Sequence, residues 1–196
     1  MNPLRIGLLP LYLELYDRTL AEARPRLEAF YHQIVDAFQA GGAKVYTAPL
    51  CRLEPEFAAA IRRFEEAGAD ALVTLHLACS PSLESSAVLG STPLPVIVLD
   101  TTPAFDFGPT QSSDEIMYNH GIHGVQDMCN LLLRNGKPLR LEAGHWQHSD
   151  VLERVLRWAR SVRVASAQRQ ARVGCIGAPF EGMGDFAVPL GVLSAP

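Results

Sequence analysis

Short apolar runs separated by longer stretches of helical spacing constrain this chain more than any other feature. The runs are Leu4–Leu9, Lys44–Ala48, Ala71–Leu77, Pro95–Leu99, Leu139–Ala143 and Arg172–Ile176. Most are apolar at nearly every position, so they read as strands buried on both faces. Strands of that kind alternating with helices form a parallel sheet covered on both sides. Right-handed crossovers then predict an α/β doubly wound parallel sheet, a Rossmann/flavodoxin-like three-layer sandwich.

The intervening segments carry the matching helical signals. A helix broken or started near Pro25 places Leu27, Phe30, Ile34, Val35 and Phe38 on one face, and Gly41-Gly42 stops it. Pro55 opens a helix with Phe57, Ile61 and Phe64, closed near Gly68. Cys79–Thr92 is Ser-rich and reads as a loop with a brief helix, and Asp100–Gln111 reads as a surface loop. A helix starting at Asp114 or Gly121 runs to Arg134, with Asn135-Gly136 at its end. Ser149 or Asp150 caps a helix with Val151, Leu152, Val155, Leu156, Ala159 and Val162 inward.

Composition excludes several classes. With 48 % hydrophobic and 19 % charged residues, 196 residues suit one folded domain. A net charge of −4, and an Arg154–Arg172 stretch that reads as the wet face of a helix, argue against nucleic acid and anionic membrane. No window is long and apolar enough for a membrane span, and the first ten residues do not read as a secretory signal. Cys51, Cys79, Cys129 and Cys175 are far apart, as free thiols of a cytoplasmic protein would be.

In a doubly wound sheet the ligand lies beyond the carboxyl ends of the strands. Here those positions are Leu9–Leu13, His76–Pro81, Asp100–Phe107, Gly144–His148 and Gly177–Asp185. The first turn, GLLPLYLELY, has no GxGxxG, and neither a P-loop nor a GxSxG elbow occurs. Ser80 and Ser82 near His76 show no sign of an activated nucleophile. His120 and His123 in NHGIHG, and His145 and His148 in GHWQHSD, share an i, i+3 spacing. That spacing can bring two imidazoles to one helix face, but no third metal ligand stands at a telling distance. Each ring is either a hydrogen-bonded structural histidine or a ligand contact. Asp100 and Asp106 are strand-end carboxylates, and Asp114-Glu115 suits a helix start.

Three segments in order, MYNHGIHGVQDMCNLLLRNGK (Met117–Lys137), LEAGHWQHSDVLERVLRWAR (Leu141–Arg160) and EGMGDFAV (Glu181–Val188), resemble the amino-terminal part of the L-arabinose/L-fucose isomerase family. Leu11-Tyr12 and Ser80-Pro81 fit the same pattern, and the resemblance covers roughly residues 4 to 189. It implies aldose–ketose isomerisation of a pentose or deoxyhexose. In that chemistry a divalent metal, usually Mn²⁺, polarises the sugar oxygens while carboxylates move a proton between C1 and C2. It also implies a homo-oligomer in which this domain closes over a neighbour's active site.

By the same resemblance His123 matches the histidine that reaches a neighbour's sugar, and Leu11 and Tyr12 match the pair that lines the sugar pocket. Asn119 belongs to the same NxxxHG motif and is expected among the substrate contacts. Leu9 stands where arabinose isomerases carry glutamine, so arabinose specificity is not implied. The family's metal ligands lie in later domains, so residues 1–189 are expected to form the amino-terminal domain. Residues 190–196 are expected to form a short tail at a truncation point. Such a domain contributes sugar contacts and assembly and is inactive alone. The alternative is a standalone sugar-binding or assembly module.

Overall fold

The computed structural model describes residues 2–172, 174, 176, 177 and 182. The chain divides into two compact units, residues 1–163 and 164–196. In chain order the elements are β1 (Leu4–Leu11), α1 (Glu14–Thr19), α2 (Ala23–Ala40), β2 (Ala43–Thr47), α3 (Glu54–Glu66) and β3 (Ala71–His76). They continue with α4 (Ser86–Ser91), β4 (Val96–Asp100), α5 (Ile116–Asn119), α6 (Ile122–Arg134), β5 (Leu139–Ala143) and α7 (Val151–Gln170). Short 3₁₀ turns lie at Ser82–Glu84 and Ser113–Glu115.

The five strands form one parallel sheet in the order β2-β1-β3-β4-β5, the flavodoxin-like arrangement. Alternation along each strand sends side chains to two separate cores. Ile6, Leu8, Val73, Leu75, Ile97 and Leu99 pack under α2 and the first turns of α7. Leu9, Leu11, Leu72, Val96 and Val98 pack under α3, α4 and α6. The three-layer α/β sandwich read from the sequence is therefore the fold of this chain. At Gly7 a methyl group would sit 2.5 Å from the Phe64 ring, so α3 can lie this close to β1 only over a glycine.

Local chemistry sets the boundaries. Pro55 lies in the first turn of α3, and the Glu56 carboxylate accepts the Arg52 and Leu53 N–H groups at 2.7 and 3.3 Å. Gly42 ends α2 with φ +84°, a conformation that favours glycine. Buried Tyr31 of α2 donates to the Leu8 carbonyl at 3.0 Å and accepts from Ala48 N–H at 3.1 Å, tying α2 to β1 and to the end of β2. The short helix α1 was not among the sequence expectations, and α2 begins at Ala23, two residues before Pro25. The sixth strand expected over Arg172–Ile176 includes Val173 and Cys175, outside the described residues. Apart from Gly182, GMGDF lies outside them as well. No helix among the described residues is long and apolar enough to cross a membrane.

Candidate functional site

From β1 the chain crosses to β2 on one side and then returns to build β3, β4 and β5 on the other. The carboxyl ends of β1 and β3 therefore flank the topological switch point, where such sheets open their ligand crevice. Four pieces of chain meet there. Tyr12 leaves β1 with its N–H on the Cys51 carbonyl at 2.9 Å, and Leu77 leaves β3 with its N–H on the Leu11 carbonyl at 2.9 Å. Helix α1 brings Tyr16, and the start of α6 brings His120, Gly121, His123 and Gly124.

The start of α6 lies directly on the end of β3. A methyl group at Gly121 would fall 2.5 Å from the His76 carbonyl oxygen. One at Gly124 would fall 2.8 Å from His76 Cδ2 and 3.0 Å from Ser80 N. The two glycines of NHGIHG are thus there for close packing. They bring the histidines beside them to the switch point.

His120 is the inner of the two. Its Nε2 lies 3.0 Å from Tyr16 Oη and 3.4 Å from the Cys79 backbone nitrogen. Because the Cys79 N–H can only donate, Nε2 is the acceptor, and the ring proton sits on Nδ1. Nδ1 faces the carbonyls of Ile116 and Met117 without closing a hydrogen bond. Burial, reinforced by the neighbouring His123 ring, lowers the pKa of His120 and favours the neutral form. His123 lies one turn on, exposed, with its ring centroid 6.0 Å from that of His120. Among the described residues no protein hydrogen bond engages its ring.

Among the described residues the same end of the sheet holds further buried polar atoms without a protein partner. Besides His120 Nδ1 they are Tyr12 Oη, Thr74 Oγ1, both ring nitrogens of His76, Ser80 Oγ and, beyond β5, Trp146 Nε1. Burial pushes the Tyr12 phenol up to about 12 and pulls His76 down to about 3, so both are uncharged at neutral pH.

The residues expected to touch substrate occupy different environments. His123 is at the surface of the switch point. Tyr12 is fully buried beside Tyr16, with ring centroids 6.1 Å apart. Leu11 is fully buried in the core under α3 and α6. Asn119 has both ends of its amide engaged: Nδ2 donates to the Glu115 carbonyl and Oδ1 accepts from Ala104 N–H, each at 2.9 Å. It pins the loop after β4 onto α5. Tyr16 and Thr74 were not expected at the site, although Tyr16 follows Tyr12 by four residues and so could have shared its face.

The second histidine pair lies beyond the ends of β4 and β5. His145 Nδ1 accepts the Gln147 and His148 N–H groups at 3.1 and 3.3 Å, and the His148 ring lies 4.3 Å from that of Phe105. This pair shapes a turn. Asp100 ends β4 half-buried, and burial raises its pKa. Glu115 forms a bidentate pair with Arg26 at 2.7 and 2.5 Å rather than serving only a helix start. Among the described residues no three His, Cys, Asp or Glu side chains group as metal ligands, so they do not fit the Mn²⁺ that the resemblance implies.

No protein-family model matches the sequence. No curated protein matches it either. Among solved structures the chain is similar to the crystal structure of the Escherichia coli transcriptional repressor ascG. The two share 15 % identity with a TM-score of 0.33, over 73 % of this chain and 59 % of that one. The chain thus spans less than two thirds of that repressor's length.

Proposed function

We propose that this chain is the amino-terminal domain of an aldose–ketose isomerase of the L-arabinose/L-fucose type, contributing sugar contacts and subunit assembly and not isomerising sugar alone. The observation that carries the reading is the division of labour within NHGIHG. His120 is turned inward and held by Tyr16 and Cys79, whereas His123 is exposed at the switch point with its ring unengaged. A histidine displayed this way can donate to or accept from a hydroxyl of a sugar held by another domain or subunit.

Moving a proton between C1 and C2 takes an electrophile and acid/base groups close to both carbons. The described residues supply neither a metal-ligand set nor a pair of carboxylates at the switch point, and on this reading a partner would supply both. The sugar, Mn²⁺ and the homo-oligomer therefore enter as properties of the assembly. A cytoplasmic location fits the three described cysteines, Cys51, Cys79 and Cys129, all of which are free.

Calorimetry of the full chain against L-arabinose, L-fucose and their alditols tests this, with light scattering for assembly. The expected result is saturable heat, weakened about tenfold or more in His123→Ala, as loss of one hydrogen bond of about 1.4 kcal/mol requires. Absence of heat with every sugar, together with a monomer at all concentrations, would overturn it. Saturable binding by a strict monomer would instead favour the standalone sugar-binding module.

A further inference from the structure

We infer that Thr74, His76 and Ser80 form an internal site for a hydroxyl group, roofed by the first turn of α6. The inference does not rest on the isomerase reading, because it concerns a different set of atoms on the other side of the sheet from Tyr12 and Tyr16.

Alternation along β3 sends Leu72, Thr74 and His76 to one face, and Leu72 lies in the core shared with α3 and α6. His76 and Ser80 both lie against Gly124 of α6. All three residues are nearly sealed from solvent: Thr74 is 0 %, His76 3 % and Ser80 1 % exposed. Among the described residues Thr74 Oγ1, His76 Nδ1, His76 Nε2 and Ser80 Oγ have no protein partner. Native proteins satisfy the great majority of buried polar atoms, and four unsatisfied ones on neighbouring residues of β3 and the loop that follows it call for a partner.

The chemistry of the lining selects that partner. No carboxylate or cation pairs with any of the three residues among the described ones. A neutral imidazole has one donor and one acceptor, and each hydroxyl can act as both. Such a lining offers little to an ion and suits a group that both donates and accepts. That group is a hydroxyl, supplied either by an internal water or by a small polyol entering at the switch point.

The test uses near-isosteric variants whose effect changes sign with the answer. If a hydroxyl is bound, Thr74→Val and Ser80→Ala remove a hydrogen bond and lower the urea midpoint of the full chain. If the atoms are truly without a partner, both changes remove a desolvated hydroxyl and raise the midpoint or leave it unchanged. That second result overturns the proposal. The His76 ring signals then identify the source. Magnetisation transfer from water to the ring N–H, unaffected by added glycerol or xylitol, means internal water. A saturable shift of those signals with glycerol or xylitol means a polyol hydroxyl. Either result supports the site, and the absence of both overturns it.

Discussion

The two ends of this sheet treat buried polar groups in opposite ways. At the β5 edge, Glu142 is buried within strand β5 and is saturated. Arg140 Nε donates to it at 2.8 Å and Arg154 Nε at 2.6 Å, while Arg154 also donates to the Ala143 carbonyl at 2.7 Å. Burial pushes the Glu142 pKa up, but the bonds from Arg154 and Arg140 outweigh it and hold the group below the usual carboxylate range. At the β1/β3 switch point, His76 is equally buried, and among the described residues neither ring nitrogen has a partner. The first arrangement is closed, and an inward-pointing charge on an outer strand discourages pairing with another sheet. The second has binding capacity left over. Burial alone therefore does not mark a functional polar group. Burial without a partner, at the end of the sheet where such folds open their crevice, is the feature on which the proposed hydroxyl site rests.

The sharpest way to break this contrast is to lift the roof of the switch point. Gly121→Ala would put a methyl group 2.5 Å from the His76 carbonyl, a backbone atom that cannot rotate away. A loss of about 3 kcal/mol is expected in denaturant unfolding, at the upper end of overpacking effects. Near-wild-type stability would mean that α6 is not seated on β3.

Acid separates the two ends. The folded pKa of His76 is lowered to about 3, so the unfolded chain takes up this proton first as the pH falls. Its contribution is complete above about 6.5 and is lost progressively between there and about 3, reaching about 2 kcal/mol at pH 5. Glu142, with its lowered pKa, contributes above the ordinary carboxylate value and loses that contribution only as the pH falls below about 4. Between pH 6.5 and 5 the stability of His76→Phe should fall less steeply than that of the wild type, keeping only the smaller decline due to His120, and that of Glu142→Gln should differ from wild type mainly above pH 4. Indistinguishable wild-type and His76→Phe profiles would contradict the burial of a neutral ring.

The smallest effects lie within NHGIHG. His123→Ala should change stability by no more than about 0.5 kcal/mol, as expected of an exposed side chain. His120→Ala, which removes the acceptor of Cys79 N–H and leaves Tyr16 Oη only the Met117 sulfur at 3.8 Å, should cost about 1–2 kcal/mol. Equal losses in thermal melts would erase the distinction between the inner and outer ring.

Much of the fold was legible in the sequence because parallel strands covered on both faces need nearly unbroken apolar runs. The three inner strands β1, β3 and β4 fall on such runs, whereas the outer strands β2 and β5 carry charged and exposed positions and were placed by the alternation of short strands with helices. Helix α1 was missed because it has only six residues and starts at Leu13 without a side-chain cap. The site was legible only in part. The strand pattern placed His76–Pro81 at the carboxyl end of β3, where the structure has them. Yet His120 and His123 have the same residue type in the same motif, and only the contacts of Tyr16 and Cys79 tell the anchored ring from the free one. Likewise His145 and His148 repeat the spacing, but their role is set by Phe105, some forty residues earlier. That the Thr74 hydroxyl lacks a partner among the described residues depends on what packs over its face of β3, which strand periodicity does not encode.

The most direct test of the central claim, that the β1/β3 switch point is the ligand site, is a histidine-ring NMR titration of the full chain with L-arabinitol and L-fucitol. Saturable shifts at His120 and His123, with His32, His145 and His148 unmoved, are the predicted result. Shifts confined to His145 and His148 would move the site to the far end of the sheet, and no shift at any ring would contradict the claim.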